Sequence, residues 1–408
     1  MKLVVVGGGA AGFFCAINAA RIVPGLEVII LEKSTKLLSK VRISGGGRCN
    51  VTHASTSIAE MSSCYPRGGK FVKKAFHHFF VNDTIEWFGN RGVDLKTEID
   101  GRMFPVSDNS ETIIQCLLNE ASKYGVEIMM HTEVLNVQRS DNLWVLTCAK
   151  KQIETDFLCI AAGGFPKEEQ FAWLQGLKHT ITKPVPSLFT FNMPGNSIAA
   201  LMGIVLKATV KINTTKYNET GSVLITHWGM SGPAILKLSA WAARDLYEKQ
   251  YHFSITINWV EGFHEQSLNE KMQVYRFELA TQKILNRNPF DLPLRFWKYQ
   301  LDLAGINENI RWADLPAKQQ KLLAKNLTSQ QFEVKGKTTF KEEFVTAGGI
   351  ATDEINVNSM ESKILSQLYF AGEIMNVDGI TGGYNFQQAW TSGWVAAKAI
   401  AESSKKAS

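Results

Sequence analysis

The chain has 408 residues, of which 45% are hydrophobic and 20% charged, with a formal net charge of +6. This composition is typical of a globular protein of two or three domains. It contains no apolar run near the ~18 residues that cross a bilayer, no basic block and no arginine–aromatic interleaving. We therefore expect a small-molecule substrate, with no nucleic-acid or membrane partner. Because the first apolar strand begins at Lys2, leaving no room for a leader peptide, we also expect a cytoplasmic protein.

The six cysteines contain no C-x-x-C pair and show no metal-ligand spacing. We expect no metal site and a reducing compartment.

The N-terminus has the pattern of a dinucleotide-binding fold. An apolar strand (2–6) runs into Gly7, Gly9 and Gly12, followed by a small-residue helix over 10–23. A second strand ends at Glu32, twenty residues beyond Gly12. Gly7 permits the tight turn, Gly9 lets the backbone approach a pyrophosphate, and Gly12 lets the helix pack on the strand. A carboxylate at Glu32 would accept hydrogen bonds from ribose hydroxyls and would repel a ribose phosphate, which argues against NADP.

Further elements follow in chain order. Residues 110–124 predict an amphipathic helix that ends at Gly125. Residues 126–137 and 143–148 alternate like strands of a small meander. Residues 157–164 predict a buried strand that ends in Gly163 and Gly164 and could close the sheet beside the first strand, near the cofactor.

The character of the sequence changes after Ser187. Residues 188–341 predict an inserted β-rich middle domain with a helical subdomain at about 265–327. Residues 342–408 return to the first pattern, with a strand that ends in Gly372 and Glu373, a glycine cluster, and a final helix from 386 to about 403. We therefore expect an α/β fold in which 1–187 and 342–408 form one Rossmann domain.

A second glycine-rich turn distinguishes flavin from nicotinamide. Residues 44–50 read SGGGRCN, with Lys40 and Arg42 just before them. Such glycines let the backbone approach a flat ring or a ribityl chain, and a lysine can balance pyrophosphate charge. A third cluster, at 379–383, opens the last helix, whose N-terminus would stabilise an anionic reduced flavin. Each cluster alone could be an ordinary flexible loop; together they favour a flavin.

These segments, with GRMFPVSD at 101–108, THWGMSGPAIL at 226–236 and TAGGIATDEIN at 346–356, resemble a bacterial flavoprotein family. That family includes aminoacetone-oxidase-like enzymes and 3-dehydro-bile-acid Δ4,6-reductases. The resemblance implies a glutathione-reductase-like fold with FAD. We expect the FAD to be bound non-covalently, because no histidine or cysteine stands in an obvious linkage motif. It also implies that the backbone of Val134 holds the adenine, and it leaves the pyrophosphate contact open between Lys40 and Arg42. The predicted cofactor-binding residues are Gly7, Gly9, Ala11, Gly12, Glu32, Lys33, Lys40, Ser44, Gly45, Asn50, Val134, Gly163, Gly372, Glu373, Asp378, Gly383, Tyr384, Asn385 and Phe386.

We expect a FAD-dependent oxidoreductase that transfers hydride to or from a small organic substrate. The alternatives are an oxidase of small amines that uses oxygen and a flavin-bearing redox sensor. Cys49 has no partner at C-x₄-C spacing, which argues against a disulfide reductase. No second G-x-G-x-x-G is present, so NAD(P)H could serve only as a transient reductant. His227 is a weak candidate for an acid or base, since it precedes a segment in which Ser231 would cap a helix starting at Pro233.

Overall fold

A computed structural model of the chain describes residues 1–338 and 345–407. The chain forms two compact units. The first comprises Met1–Ser187 and Phe340–Ser408, and the second comprises Leu188–Thr339. The predicted domain boundary between residues 341 and 342 lies outside the described residues.

The first unit is built on a five-stranded sheet in which all neighbouring strands are parallel. Its strands, in spatial order, are β20 (Leu368–Phe370), β10 (Phe157–Ile160), β1 (Lys2–Val6), β2 (Glu27–Leu31) and β6 (Glu127–Met129). All four residues of β10 are buried, as expected for a strand covered on both faces of a sheet. The prediction that this strand lies beside the first one is confirmed.

The first unit also contains helices. They are α1 (Ala10–Ile22), α2 (Ser39–Gly47), α3 (Ile58–Ser63), α4 (Gly69–Ala75), α5 (Val81–Gly89), α6 (Ser110–Lys123), α7 (Ala172–Gln175) and α13 (Tyr384–Ala407). The first and last helices pack closely at Gly393. A Cβ added there would lie only 2.7 Å from the carbonyl oxygen of Ala11. The absence of a side chain at Gly393 therefore allows this close packing of the two chain ends.

Three smaller sheets complete the first unit. They contain β3 (Thr52–His53), β5 (Arg102–Pro105) and β4 (Leu95–Thr97); β7 (Val134–Ser140), β8 (Leu143–Cys148) and β9 (Gln152–Thr155); and β11 (Ile181–Ser187) with β19 (Val345–Ile350). The single strand predicted over 126–137 is wrong. The chain turns after Met129, so its first part joins the parallel sheet and its second part joins an antiparallel meander.

The second unit contains a seven-stranded sheet whose neighbours are all antiparallel. Its strands, in spatial order, are β17 (Gln330–Lys335), β16 (His252–Asn258), β13 (Val205–Ile212), β14 (Asn218–Thr226), β15 (Gly229–Ser231), β12 (Thr190–Asn192) and β18 (Lys337–Thr338). Alternate residues such as Val210, Ile212 and Ile255 are buried with Ile235 of α8 (Pro233–Trp241) and Leu246 of α9 (Ala243–Glu248). The opposite face carries the polar residues of the same strands.

A helical part of this unit has its own core. The helices are α10 (Glu265–Glu278), α11 (Leu294–Leu303) and α12 (Ala317–Ser329). They enclose Trp297, Trp312 and Leu323, which are all fully buried. The helix-rich stretch predicted within 265–327 is confirmed. Over the described residues, none of the helices has the length and apolar character needed to cross a membrane.

Candidate FAD site

Four of the predicted binding residues follow neighbouring strands of the parallel sheet. Gly7 follows β1, Glu32 follows β2, Gly163 comes shortly after β10, and Glu373 comes shortly after β20. Because parallel strands end at a common edge, these residues converge although they come from distant parts of the sequence. Ligands of doubly wound folds bind at this edge.

The turn between β1 and α1 leaves an open cradle. Gly7 has a φ of +116°, and a Cβ added at Gly12 would lie 2.0 Å from the carbonyl oxygen of Gly7. Gly9 differs, because nothing lies within 4 Å of the Cβ position there. Gly9 is also the N-cap of α1, which has no side-chain cap and no acidic residue in its first turn. The helix N-terminus therefore presents its N–H groups to open space, which suits a pyrophosphate.

Glu32 is fixed in place beside this cradle. Its Oε2 accepts a hydrogen bond from the N–H of Gly8 at 2.9 Å, and its Oε1 accepts one from the N–H of Ser34 at 2.7 Å. A carboxylate has about four acceptor positions, so it keeps acceptors for a ribose. The neighbouring Lys33 is exposed, and its ammonium lies 5.5 Å from the ring centre of Phe165.

The second glycine cluster is a broken helix and not the simple turn that the sequence suggested. Residues 39–47 are helical except at Ser44, Gly45 and Gly46, where the backbone leaves the helical region. Gly45 has a φ of +59°, and a Cβ there would lie 2.7 Å from the ring of Phe104. Around Gly46 no atom lies within 4 Å of the Cβ position. This segment therefore exposes backbone to open space, as a bound ring or chain requires.

Lys40 and Glu373 form an ion pair. The other carboxylate oxygen of Glu373 accepts a hydrogen bond from the N–H of Thr346 at 2.8 Å. Arg42, the alternative pyrophosphate contact, instead forms an ion pair with Glu111 of α6. Of the two cations, Lys40 is the one that the fold brings to the carboxyl edge of the sheet.

The N-terminus of α13 is shaped by a compact loop. The Asn385 amide donates to the carbonyl oxygen of Gly379 at 2.9 Å and accepts from the N–H of that residue at 2.8 Å. Gly383 has a φ of +94°, and a Cβ there would lie 2.4 Å from the carbonyl oxygen of Thr52. With its amide oriented to satisfy both partners, Asn50 donates to Thr52 and accepts from the N–H of Gly383, each at 3.0 Å. Asn50, Gly383 and Asn385 thus hold this helix start in place.

Aromatic residues pack at the same helix start. Tyr384 stacks on His53 with ring centres 4.7 Å apart, and the hydroxyl of Tyr65 donates to the carbonyl oxygen of Tyr384 at 2.6 Å. Phe386 stacks on Trp390, one turn along the helix, at 5.8 Å. Sequence reasoning missed His53 and Tyr65. Their only signal was their position near the second glycine cluster.

Asp378 is fully buried and binds an arginine that sequence reasoning also missed. The guanidinium of Arg67 donates through two nitrogens to the two carboxylate oxygens, and Ser187 Oγ donates to Oδ2 at 3.0 Å. Burial raises the pKa of Asp378, while the hydrogen bond from Arg67 opposes that shift. The carboxylate of Asp378 therefore has its hydrogen-bond partners within the protein. Its ion pair in turn holds the guanidinium of Arg67 near the start of α13.

Three further predicted residues lie at the margin of this site. Ala11 and Gly372 lie close together. A Cβ added to Gly372 would be 2.8 Å from the Cβ of Ala11. Val134 opens β7, after the chain has left the parallel sheet. It nevertheless follows closely after Thr132, whose N–H donates to the Glu32 carbonyl oxygen at 2.9 Å.

His227 belongs to the second unit. It is exposed between β14 and β15, with its ring centre 4.3 Å from that of Trp228. The expected cap is wrong, because Gly232 is the N-cap of α8 and Ser231 ends β15; Pro233 does start the helix. Gly232 has a φ of +98°, and a side chain there would clash with the carbonyl oxygen of Ser222, which excludes a serine cap at that position.

These residues fit FAD. An uncapped helix N-terminus beside open glycines suits a pyrophosphate, a fixed carboxylate suits a ribose, and a second open glycine segment suits a flat ring. Among the described residues, no group of His, Cys, Asp and Glu could hold a metal ion.

Comparison with known proteins supports this assignment along the whole chain. The family model described as the HI0933-like protein Rossmann domain matches residues 1–399. A protein from Haemophilus influenzae named ribosomal RNA dihydrouridine synthase is 30% identical over 97% of this chain and 98% of its own length. Its namesake from Escherichia coli is 29% identical over 97% and 96%. The 3-dehydro-bile acid Δ(4,6)-reductase of Clostridium scindens is 26% identical over 98% and 99%.

Solved structures share the fold at low identity. The 3-ketosteroid-Δ4-(5α)-dehydrogenase of Rhodococcus jostii superposes with a TM-score of 0.50 at 13% identity, covering 97% of both chains. A quinol fumarate reductase FrdA structure from E. coli gives 0.51 at 14% identity, covering 100% of this chain and 71% of that one. These matches agree with a Rossmann FAD domain that carries a separate antiparallel sheet. The chain belongs to the HI0933-like Rossmann family and is a FAD-dependent oxidoreductase.

Proposed function

We propose that this enzyme reduces a carbon–carbon double bond conjugated to a carbonyl, and that the first substrate to test is a uracil base in ribosomal RNA. One observation carries the proposal: three relatives aligned over nearly their whole length are named for products or bonds of this chemistry. Dihydrouridine differs from uridine by two hydrogens across a double bond conjugated to a ring carbonyl. A Δ4,6 double-bond system next to a 3-oxo group has the same electronic character.

FAD, once reduced, supplies a hydride for the electron-poor carbon of such a bond. The chain's own residues would bind and orient the cofactor. The N-terminus of α1 and Lys40 would balance the pyrophosphate charge, and Glu32 would accept hydrogen bonds from the ribose. The start of α13, fixed by Asn50 and Asn385, would offer the positive end of a helix to the flavin.

The second hydrogen must arrive as a proton. Tyr384 and His53, stacked at the start of α13, are the groups we propose as its source. Burial is the largest cause that raises the pKa of Tyr384, so its phenol stays protonated through the neutral range and keeps a proton to donate. Electrons would come from a reduced nicotinamide that docks transiently. The described strands of the second unit pair only antiparallel, which supplies no second Rossmann fold.

This proposal departs from the sequence-based expectation of no nucleic-acid partner. That expectation depended on the absence of basic runs in the linear sequence, and a folded surface can collect cations from separate segments. The alternative substrate is a steroid dienone, favoured by the similarity to the bile-acid reductase.

Anaerobic reoxidation of the flavin tests the proposal. The protein is photoreduced and mixed in separate runs with uridine-rich ribosomal RNA transcripts, a 4,6-dien-3-one steroid and buffer alone. We expect the transcripts to restore the oxidised flavin band and to gain two hydrogens at a uridine by mass spectrometry. Restoration by the dienone alone would favour the second substrate. If only oxygen reoxidised the flavin, the proposal would fail and the oxidase alternative would gain support.

A further inference from the structure

The excess positive charge of the protein lies entirely in the second unit. Residues 188–339 contain 18 Lys and Arg against 12 Asp and Glu, whereas the rest of the chain contains 26 of each. The net charge of +6 therefore belongs to the unit without the Rossmann sheet. Such an asymmetry between parts of one chain points to an anionic partner.

Three turns bring part of this charge to one end of the seven-stranded sheet. The ammonium of Lys249, after α9, donates to Oγ1 of Thr214 in the β13–β14 turn at 2.8 Å. The N–H of Gly336, in the β17–β18 turn, donates to the carbonyl oxygen of Tyr251 at 2.8 Å. Segments near residues 215, 250 and 336 are therefore neighbours in the fold although they are remote in sequence.

Lysine and tyrosine side chains lie next to one another at this end of the sheet. The ammonium of Lys216 lies 5.9 Å from the ring centre of Tyr217, and that of Lys337 lies 4.8 Å from the ring centre of Tyr251. Tyr247 is 37% exposed and meets Tyr251 edge to face at 6.3 Å. Together with exposed Lys335, these residues define what we term the lysine–tyrosine surface: Lys216, Tyr217, Tyr247, Tyr251, Lys335 and Lys337.

Within the part of the chain that the structure describes, no ion pair joins Lys216, Lys335 or Lys337 to a carboxylate. Along the chain, the acid nearest to Lys216 is the half-buried Glu219, and the acid nearest to Lys335 and Lys337 is the exposed Glu333. Burial also lowers the pKa of Lys337, a cost that a neighbouring phosphate would offset.

We propose that the lysine–tyrosine surface binds single-stranded RNA, with its lysines on phosphates and its tyrosines stacked against bases. Single-stranded nucleic acid is held by this combination of cations that follow the backbone and aromatic faces that accept any base. The inference deepens the proposed function, on which it rests for the choice of RNA, by naming the surface that would hold the substrate outside the flavin site.

Fluorescence anisotropy of the FAD-loaded protein with a labelled uridine-rich single strand tests this surface across a salt series. We expect the triple variant Lys216→Gln/Lys335→Gln/Lys337→Gln to bind at least tenfold more weakly. The slope of log K against log salt should fall by about 2, since each lost phosphate contact on a single strand is worth about 0.7. The matched control is Lys318→Gln/Lys321→Gln/Lys325→Gln, which removes the same charge from the exposed side of α12 and should bind as the parent does.

The tyrosines are tested separately from the charge. Tyr247→Ala should weaken binding about tenfold and leave the salt slope unchanged, because stacking releases no counterions. Tyr247→Phe keeps a ring and should retain parental affinity. Thermal unfolding of each variant identifies any loss that comes from misfolding.

The outcomes separate this inference from the proposed function. If the parent binds RNA through these residues but reduces no uridine, the surface stands and the proposed function fails. If both triple variants lose affinity equally, binding is non-specific and the surface is wrong. It is also wrong if the parent reduces uridine in RNA while the surface variant binds and turns over normally, or if the parent binds no RNA even at low salt.

Discussion

Lys40 and Glu373 form an ion pair across a separation of 333 residues. The lysine precedes the second glycine cluster, and the carboxylate follows the last strand of the parallel sheet. Their contact places a cation beside the cradle at the start of α1, where a pyrophosphate would compete with Glu373 for the ammonium. Arg42, only two residues away, binds Glu111 of α6 instead.

This arrangement predicts different effects for the two cations. Lys40→Met should weaken FAD binding about tenfold, because a charge-assisted contact of this kind is worth roughly 1.5 kcal/mol before solvent screening. Arg42→Met, the matched control, should change the affinity less than twofold. Fluorescence titration of the apoprotein with FAD measures both. The opposite ranking would assign the pyrophosphate contact to Arg42.

Two glycines in the first turn should fail in different ways. Gly9→Ala should fold as stably as the parent, since nothing lies within 4 Å of its Cβ position and its φ of −95° suits alanine. It should nevertheless lose FAD affinity at least tenfold, because the methyl group would occupy the space of the pyrophosphate.

Gly12→Ala should instead destabilise the fold, since its Cβ would lie 2.0 Å from the carbonyl oxygen of Gly7. Thermal unfolding of the apoproteins, followed by FAD titration, distinguishes the two variants. A Gly9→Ala protein that retains full affinity would place the pyrophosphate elsewhere.

Breaking the pair between Arg67 and Asp378 should be costly and dependent on pH. Arg67→Met leaves the fully buried Asp378 without its cation, which costs about 3–5 kcal/mol. The folded-state pKa of this carboxyl is already raised by burial, and loss of Arg67 raises it further. A raised pKa in the folded state means that the folded protein binds this proton more tightly than the unfolded chain does. The free energy of unfolding therefore decreases as the pH rises through the folded-state pKa.

The deficit of Arg67→Met should therefore be smaller near pH 4, close to an ordinary aspartate pKa of about 3.9, than near pH 8, in the range of a strongly raised carboxyl pKa. Urea unfolding at the two pH values measures it. Adding Asp378→Asn should remove most of the difference between the two pH values. A deficit that is equal at both would mean that Asp378 stays ionised without its partner.

The cysteines should differ in reactivity. Burial raises the pKa of Cys49 to about 12, so its reactive thiolate is scarce at neutral pH. Cys64 is only partly buried. Brief iodoacetamide treatment of the native protein should label Cys64 well before Cys49, and mass spectrometry of the peptides measures the order. All six should react in denaturant. Rapid labelling of native Cys49 would reopen a thiol role beside the flavin.

Local patterns determined much of this protein in advance. The apolar runs of β1 and β2, the glycines between them and the helix over 10–22 depend on residues close in sequence, so their spacing alone predicted the dinucleotide fold. The split of 126–137 into two strands was not visible in the sequence. Which sheet a strand joins depends on partners elsewhere in the chain.

Tertiary structure decided the contacts between distant residues. Arg67 meets Asp378 across 311 residues, and Tyr384 stacks on His53, because sheet order and helix packing bring their segments together. The lysine–tyrosine surface is assembled in the same way from three turns, none of which is a basic run by itself. Short-range periodicity specifies strands and helices, whereas charge and contact depend on how those elements pack, and only the folded chain contains that information.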